Sequence, residues 1–419
     1  MSARGARRAV ALVGASGYGR RHLDELLDLH RAGSIEVCAV VDTALPAGIG
    51  ELAELAGLVA ESGAHPYLGG DLAEALRSRE PTTVVIATPP HTHAALAEQA
   101  LAAGCSVYLE KPPVPLLADL HRLLERASGR RFEVGFQQTP AVVATVTDAL
   151  LAHPLGAVER ITGFGALQRP DSYYTRSRWA GRLELDGRAV FDGALFNPLA
   201  HVVHAALAIA SSIDPAWALD SLEAQLGSVR AIQCDDLAAV GARSIDGPEV
   251  FAIGTTAADR VIEPSVLVVG ERGRLRVRLR DLATTVSVDG EDPFELPPRA
   301  HGSALRAAVL DPHGPADPLL EAAAAEPFVR LVSAVVDTVG EPVALARDSL
   351  ALHRDGERLV TLPGIARAIE SAVDDGHLLT DGQVALGDSL RRTRLGEWNG
   401  RMARSYDDSV ATIAGEVSS

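Results

Sequence analysis

Lysine is almost absent from this chain: among 39 Lys and Arg residues in 419, Lys111 is the only lysine. Arginine therefore serves wherever a generic cation is needed, and one position alone carries a compact ammonium that can lose its proton. That position is a candidate for proton chemistry or close-range charge placement. Cysteine is scarce as well. Cys38, Cys105 and Cys234 are odd in number, far apart and without metal-ligand spacing. No disulfide framework and no metal centre are expected, and a reducing, cytoplasmic compartment is. No apolar run approaches the about 18 residues that a membrane span needs. Positive charge is in deficit: the formal net charge of −16 argues against nucleic acid or a membrane surface as the main partner. Arg4, Arg7 and Arg8 ahead of a short apolar run imitate a secretory leader, but Gly17, Gly19, Arg20 and Arg21 interrupt it at once.

What is present is a regular alternation. Short, β-branched-rich apolar runs occur at Ala9–Val13, Ile35–Val41, Val84–Ala87, Val107–Leu109 and Phe132–Phe136. Helical patterns lie between them at Arg20–Arg31, Gly50–Ser62, Asp71–Arg79, His91–Ala103 and Leu116–Ala127. This spacing predicts a doubly wound parallel α/β sheet of the Rossmann type over residues 1–140. Period-two patterns then take over at Ala157–Gly165, Leu222–Ile232, Val250–Thr256, Ser265–Val269, Arg274–Arg280 and Thr284–Val288, with a helix at Asn197–Ala210. They predict an α+β domain with a mostly antiparallel open sheet over residues 141–345. Helices at Phe328–Val339 and Ile365–Val373 follow, and residues 346–419 read as C-terminal helices and a partly ordered tail. An open sheet face leads us to expect a homodimer or homotetramer.

The first chemical motif is the Gly14–Gly19 turn after the first strand. Gly14, Ser16, Gly17, Tyr18 and Gly19 form a tight turn into a helix, where backbone N–H groups and the helix dipole suit a pyrophosphate. Ser16 stands where the usual fingerprint has its middle glycine. Asp42 ends the second strand, where an acid suits the ribose hydroxyls of NAD and repels the 2′-phosphate of NADP. NAD rather than NADP is therefore the expected cofactor. The fourth strand ends in Thr88-Pro89-Pro90 with His93 following, and the fifth in Glu110-Lys111-Pro112. The lone lysine thus falls at the carboxyl edge of a central strand, where ligands of such folds bind.

These elements together resemble the Gfo/Idh/MocA family (glucose–fructose oxidoreductase, inositol dehydrogenase, rhizopine catabolism). The glycine turn with trailing Arg20-Arg21-His22, the Thr88–His93 run, Glu110-Lys111-Pro112 and Phe136-Gln137-Gln138 match its pattern in order. The resemblance covers roughly residues 8–340, strongly in the first third. It implies cofactor contacts at Thr88, Pro89, His93, Glu110, Lys111 and Gln138, a cis Lys-Pro bond, and a lysine that reaches the substrate.

In the second domain, the run from Gly193 to His204 resembles the family helix that carries an Asp and, four residues on, a His. Asn197 holds the Asp place, His201 the His place and His204 a second acidic place. Positions i and i+4 share a helix face. His204 alone reads first as a packed core residue and second as a substrate-side candidate. Tyr173, Tyr174, Arg178 and Trp179 cluster in a chain with 4% aromatics; rings suit the C–H faces of a sugar and Arg suits hydroxyls or a carboxylate. A packing loop or subunit contact is an equal reading. The resemblance implies an NAD-dependent oxidoreductase for a sugar, polyol or cyclic alcohol. His201 would be its base, Lys111 would stabilise the oxygen and Asn197 would orient the hydroxyl. NAD-assisted glycoside cleavage or epimerisation without net redox stays open, as does a non-catalytic NAD-sensing regulator.

Overall fold

The computed structural model describes residues 8–43, 51–299, 302–345, 350–354, 356–380 and 390–395. They fall into two compact units. The first comprises the chain to Val114, Asp119–Gln137 and Gly302–Ala325, and the second holds the remainder.

The first unit contains β1 (Ala9–Val13), α1 (Tyr18–Arg31), β2 (Glu36–Val41), α2 (Glu51–Glu61), β3 (Tyr67–Gly69), α3 (Leu72–Arg79), β4 (Thr83–Ile86), α4 (Pro90–Ala102), β5 (Ser106–Leu109), most of α5 (Leu117–Ala127), β6 (Phe132–Val134) and α9 (Ala304–Leu310). Its six strands form a parallel sheet in the order β3-β2-β1-β4-β5-β6. This is the doubly wound order whose switch point lies between β1 and β4. All five residues of β1 and all four of β4 are buried, as expected of strands covered on both faces. The three-residue β3 escaped the sequence reading because it is too short to show a period.

The second unit contains α6 (Thr139–Ala152), β7 (Val158–Gln168), α7 (Asp171–Thr175), β8 (Glu184–Leu185), β9 (Arg188–Ala189), α8 (Ala200–Ile213), β10 (Ser221–Ser228), β11 (Leu237–Arg243), β12 (Glu249–Thr255), β13 (Ala257–Gly270), β14 (Gly273–Arg278), β15 (Thr284–Val288) and β16 (Phe294–Leu296). It continues through α10 (Glu326–Val339), β17 (Val343–Ala344), β18 (Leu350–Arg354), β19 (Glu357–Thr361), α11 (Ile365–Asp375) and β20 (Arg391–Arg394). A ten-stranded sheet runs β16-β15-β14-β13-β7-β12-β11-β10-β17, with β20 also on β10. It is antiparallel except at β7–β12 and β10–β17. Strand β11, Leu-Ala-Ala-Val-Gly-Ala-Arg, is buried over its first six residues, so it lacks the alternation that marks the other strands.

The expected division at 140 and 345 needs two corrections. Residues 302–325 return to the first unit rather than completing the second. Ser106 Oγ donates to Pro312 O at 2.6 Å, and the Val134 amide donates to Leu320 O at 2.9 Å. Arg131, paired with the buried Glu133 at 2.8 Å, donates to Asp311 O at 3.0 Å. No local pattern announces such a return, because its partners lie about 200 residues upstream. The described parts of 346–419 join the second unit and are not a separate appendage; the tail reading for 396–419 lies outside the described residues.

The open sheet face is also corrected. Gly163 and Gly165 of β7 and Gly254 of β12 lie on one face, where a Cβ would meet Val202 and Leu199; α8 packs there. The opposite face, with Phe164, Ala166, Phe251, Ile253 and Leu267, packs against Ile365, Ala368, Ile369, Ala372 and Val373 of α11. Both faces are covered at the centre of the sheet, while Arg274 and Arg276 of β14 stay exposed.

Candidate active site

In the first unit, Gly14 adopts φ +85°, and a Cβ there would lie 2.6 Å from Ala87 O. A Cβ at Gly19 would collide with Gly14 O. These two positions therefore require glycine. Gly17, at φ 58°, is the N-cap of α1, with no side-chain cap and no acid in the first turn. Ser16, Gly17 and Tyr18 are exposed. An uncapped helix start behind a turn stripped of side chains fits a pyrophosphate. Asp42 Oδ2 accepts from the Ala15 amide at 3.0 Å, which places a carboxylate beside the same turn.

The carboxyl ends of β4 and β5 are tied together from inside. His93 is buried, 1% exposed. Its Nε2 lies 2.7 Å from Thr88 O, and its Nδ1 lies 2.6 Å from Pro113 O and 3.0 Å from Pro112 O. Burial pushes its pKa down. Three carbonyls surround the ring, and His93 positions the segment after Lys111. Glu110 is turned inward likewise. Its Oε1 lies 2.7 Å from His22 Nε2, and its Oε2 accepts from the Lys111 amide at 3.1 Å. A Cβ at Gly135 would lie 2.9 Å from Oε1, so a glycine makes room for this carboxylate. Lys111 is half-buried, and its bond to Pro112 is cis. Thr88 accepts from Thr92 Oγ1 at 2.7 Å, and Pro89 is the N-cap of α4. Gln138 opens α6 in the other unit; it is Gln137 whose Nε2 reaches Tyr18 OH, at 3.1 Å.

In the second unit, Asn197 precedes α8 rather than lying on it, and its carbonyl accepts from the Ala200 amide at 3.3 Å. The shared helix face expected for Asn197 and His201 does not apply, because Pro198 and the turn through Leu199 intervene. His201 sits half-buried in the first turn of α8. His204 is 2% exposed and packed, with Nδ1 2.9 Å from Thr139 Oγ1. Two buried carboxylates missing from the sequence reading hold the turn that leads to Asn197. Asp192 Oδ1 accepts from Asn197 Nδ2 at 2.6 Å, and Oδ2 from the Gly181 amide at 2.7 Å. Asp235 Oδ2 accepts from the Ala194 amide at 2.8 Å, and a Cβ at Gly193 would strike its other oxygen. Burial raises the Asp235 carboxyl to about 7, against the pull of that amide. The signal is the Asp192-Gly193 pair next to the recognised run; Asp235 lies 41 residues beyond Ala194, with no local pattern tying it to that run.

The aromatic cluster divides. Tyr174 OH lies 2.6 Å from Thr256 Oγ1 and under the Arg230 guanidinium at 4.9 Å, which anchors it to the sheet. Arg178 pairs with Asp186 at 3.0 Å on the surface, both more than two-thirds exposed, and is not gathered towards Asn197. The Arg176 guanidinium lies 3.5 Å from the Tyr173 ring centroid and 4.9 Å from that of Trp179. Burial, and next the Asp192 charge, raise the Tyr173 phenol.

Residues 8–136 match GFO_IDH_MocA, an oxidoreductase family with an NAD-binding Rossmann fold. The N-terminal unit is thus similar to the Gfo/Idh/MocA oxidoreductases. An inositol 2-dehydrogenase of Arthrobacter sp. is 30% identical over 151 residues, 35% of this chain and 42% of that protein. A 4-carboxy-2-hydroxymuconate-6-semialdehyde dehydrogenase of Sphingobium sp. is 30% identical over 118 residues, 28% of this chain and 34% of that protein. The chain thus spans less than half the length of the curated relatives it matches. The WlbA dehydrogenase of Bordetella pertussis, solved with NADH and UDP-GlcNAcA, superposes with a TM-score of 0.61 at 21% identity, over 79% of this chain and 95% of that one. The likeness in fold therefore extends over both units, and the family matched by residues 8–136 is NAD-binding. Among the described residues, no helix is long and apolar enough to cross a membrane and no group of His, Cys, Asp or Glu could hold a metal ion.

Proposed function

We propose that the protein is an NAD-dependent dehydrogenase that oxidises a CH–OH group of a sugar, polyol or cyclic alcohol. The observation that carries this reading is the treatment of Lys111. Its amide is held by the buried Glu110 carboxylate, and the turn that follows is held by the buried His93 ring. A fold that spends two buried ionisable side chains on the backbone around its only lysine is placing that ammonium. The sugar and polyol class is supported by the inositol dehydrogenase and WlbA likenesses.

Gly14, Gly17 and the α1 N-terminus would hold the pyrophosphate, and Asp42 the adenosine ribose, which favours NAD over NADP. NAD, when bound, accepts or returns the hydride. Lys111 would hold the substrate oxygen and stabilise its developing negative charge. His201 would take the hydroxyl proton. Asn197 cannot act as a base; held by Asp192, it would orient the substrate hydroxyl. Tyr173 and Trp179 would offer ring faces to the substrate. The three cysteines are buried and free, with burial raising each thiol, as suits a reducing cytoplasm.

A thermal-shift panel with NAD, NADP and their reduced forms, followed by a sugar and polyol screen at 340 nm-type NADH readout, tests the proposal. Stabilisation by NAD over NADP and NADH formation on at least one polyol or sugar are expected. Product without net NADH would move the assignment to NAD-assisted cleavage or epimerisation. NAD binding without turnover across the panel would move it to a regulatory protein.

A further inference from the structure

On the basis of the dehydrogenase function proposed above, we infer that the substrate carries an acidic group, a carboxylate or phosphate on the sugar or polyol, and that Arg169 and Arg176 receive it. Arg169 directly follows β7, and its backbone is fixed on both sides. Its amide donates to Thr256 O at 3.0 Å, and its carbonyl accepts from Arg230 Nη2 at 2.7 Å. Its guanidinium lies 5.1 Å from the Tyr173 ring centroid, and that of Arg176 lies 3.5 Å from the same centroid. Two cations thus share one tyrosine. Like charges held this close repel, and an anion between them removes that cost.

The neighbouring arginines are matched within the chain. Arg230 pairs with Asp236 at 3.1 Å, Arg178 with Asp186 at 3.0 Å, and Arg358 with Asp171. Among the described residues, no carboxylate lies within ion-pair distance of the Arg169 or Arg176 guanidinium. Arg169 Nε is buried without an acceptor, and the Ser177 hydroxyl next to Arg176 is buried without a partner. Buried polar atoms ordinarily find partners, so two orphans in one short loop call for a group from outside the chain. Arg176 gives one N–H to Tyr173 O. A guanidinium stacked on a ring keeps its other in-plane donors for an acceptor at its edge. The planar fork matches the paired oxygens of a carboxylate or phosphate, whereas a neutral hydroxyl would leave both charges uncompensated. The same loop is tied to Asn197 through Asp192. One Asp192 oxygen accepts from the Gly181 amide at 2.7 Å, and the other from Asn197 Nδ2 at 2.6 Å. The residue proposed to orient the hydroxyl and the loop proposed to hold the acidic group are therefore fixed by one carboxylate.

Calorimetry of the full chain with NADH bound tests this with matched probes that NADH cannot reduce. Methyl glucoside is compared with methyl glucuronide and methyl glucoside 6-phosphate, and glucitol with gluconate and glucitol 6-phosphate. At least one acidic probe should bind about 10- to 100-fold more tightly than its neutral parent, the usual worth of hydrogen bonds to a charged group. That advantage should shrink with added salt. Whichever of carboxylate and phosphate gains more is the group received. Arg169→Gln and Arg176→Gln should each cut the acidic-to-neutral affinity ratio, and the double variant should bring it near one. A role in loop packing alone would weaken both kinds of probe and keep the ratio. Acidic probes that bind no more tightly than their parents overturn the proposal, as does a ratio that survives in the folded double variant. Should the double variant fail to fold, Arg176→Gln, at an exposed position, decides by the same ratio. NADH formation from NAD is measured separately. An acidic preference without NADH formation counts against the dehydrogenase and leaves the anion site standing; NADH from neutral sugars without an acidic preference does the reverse.

Discussion

At the residue scale, Lys111 is the position where the proposed chemistry is most exposed to test. Arginine keeps the charge but is larger, planar and never deprotonated. Lys111→Arg should lower kcat by about 100- to 1,000-fold, the usual effect of losing one preorganised donor to a developing oxyanion. NAD affinity measured by calorimetry should barely change. Near-normal turnover would remove the lysine from the reaction. Gly14 is a second such position. Its φ of +85° and the 2.6 Å approach to Ala87 O leave no space for a methyl group. Gly14→Ala should cost about 1–3 kcal/mol of stability, read from denaturant unfolding, and should weaken NAD binding.

Asp235 gives a pH dependence whose sign follows from burial. Its folded-state carboxyl titrates near 7, above its ordinary 3.8. The folded chain therefore holds a proton that the unfolded chain has already released. Stability from this group is complete below about 4 and is lost as pH rises through about 7, by up to a few kcal/mol. Asp235→Asn keeps an acceptor for the Ala194 amide and should flatten that decline in a series of melting temperatures against pH.

At the element scale, α7 is held by pieces of sequence far from it. Arg358 of β19 pairs with Asp171, and Pro170 bridges Leu359. Arg230 donates to Val360 O at 3.0 Å and Arg169 O at 2.7 Å while lying over Tyr174. Arg358 is half-exposed, so Arg358→Ala should leave melting nearly unchanged, within about 1 kcal/mol. Hydrogen exchange over residues 169–180 should nevertheless rise, because the loop loses one of its two cationic ties. Unchanged exchange would mean that Arg230 holds the loop alone. The strands that the sequence revealed were those with a clear period or a dense β-branched run, such as β1 and β15. Among the elements it missed, β3 is short, β11 uniformly buried and α6 Ala-rich, and none of these features separates strand from helix by periodicity; strands β18, β19 and β20 also stand where only C-terminal helices were expected.

At the scale of the whole molecule, the return of residues 302–325 makes the first unit discontinuous. The buried Arg131–Glu133 pair and the Ser106 hydroxyl are satisfied partly by backbone of that segment. A chain ended after Gln137 should therefore melt well below the first unit of the full protein, and a peptide of residues 302–325 added in trans should raise its melting temperature. No effect of the peptide would show that the segment is held by the unit without stabilising it.

The sequence by itself determined what local chemistry can write. It set the alternation that makes a parallel sheet, the glycine turn that needs missing side chains, the acid at the end of β2 and the lone lysine at the end of β5. Tertiary structure alone decided the rest. It turned His93 and Glu110 inward as supports for the Lys111 turn, brought Asp192 against Asn197, made His204 a packed residue, and laid α11 over a sheet that the sequence left open. Each of these outcomes depends on which distant groups a buried polar atom or an apolar face meets. A buried atom must find a partner somewhere in the fold, and one chain read in order does not say where.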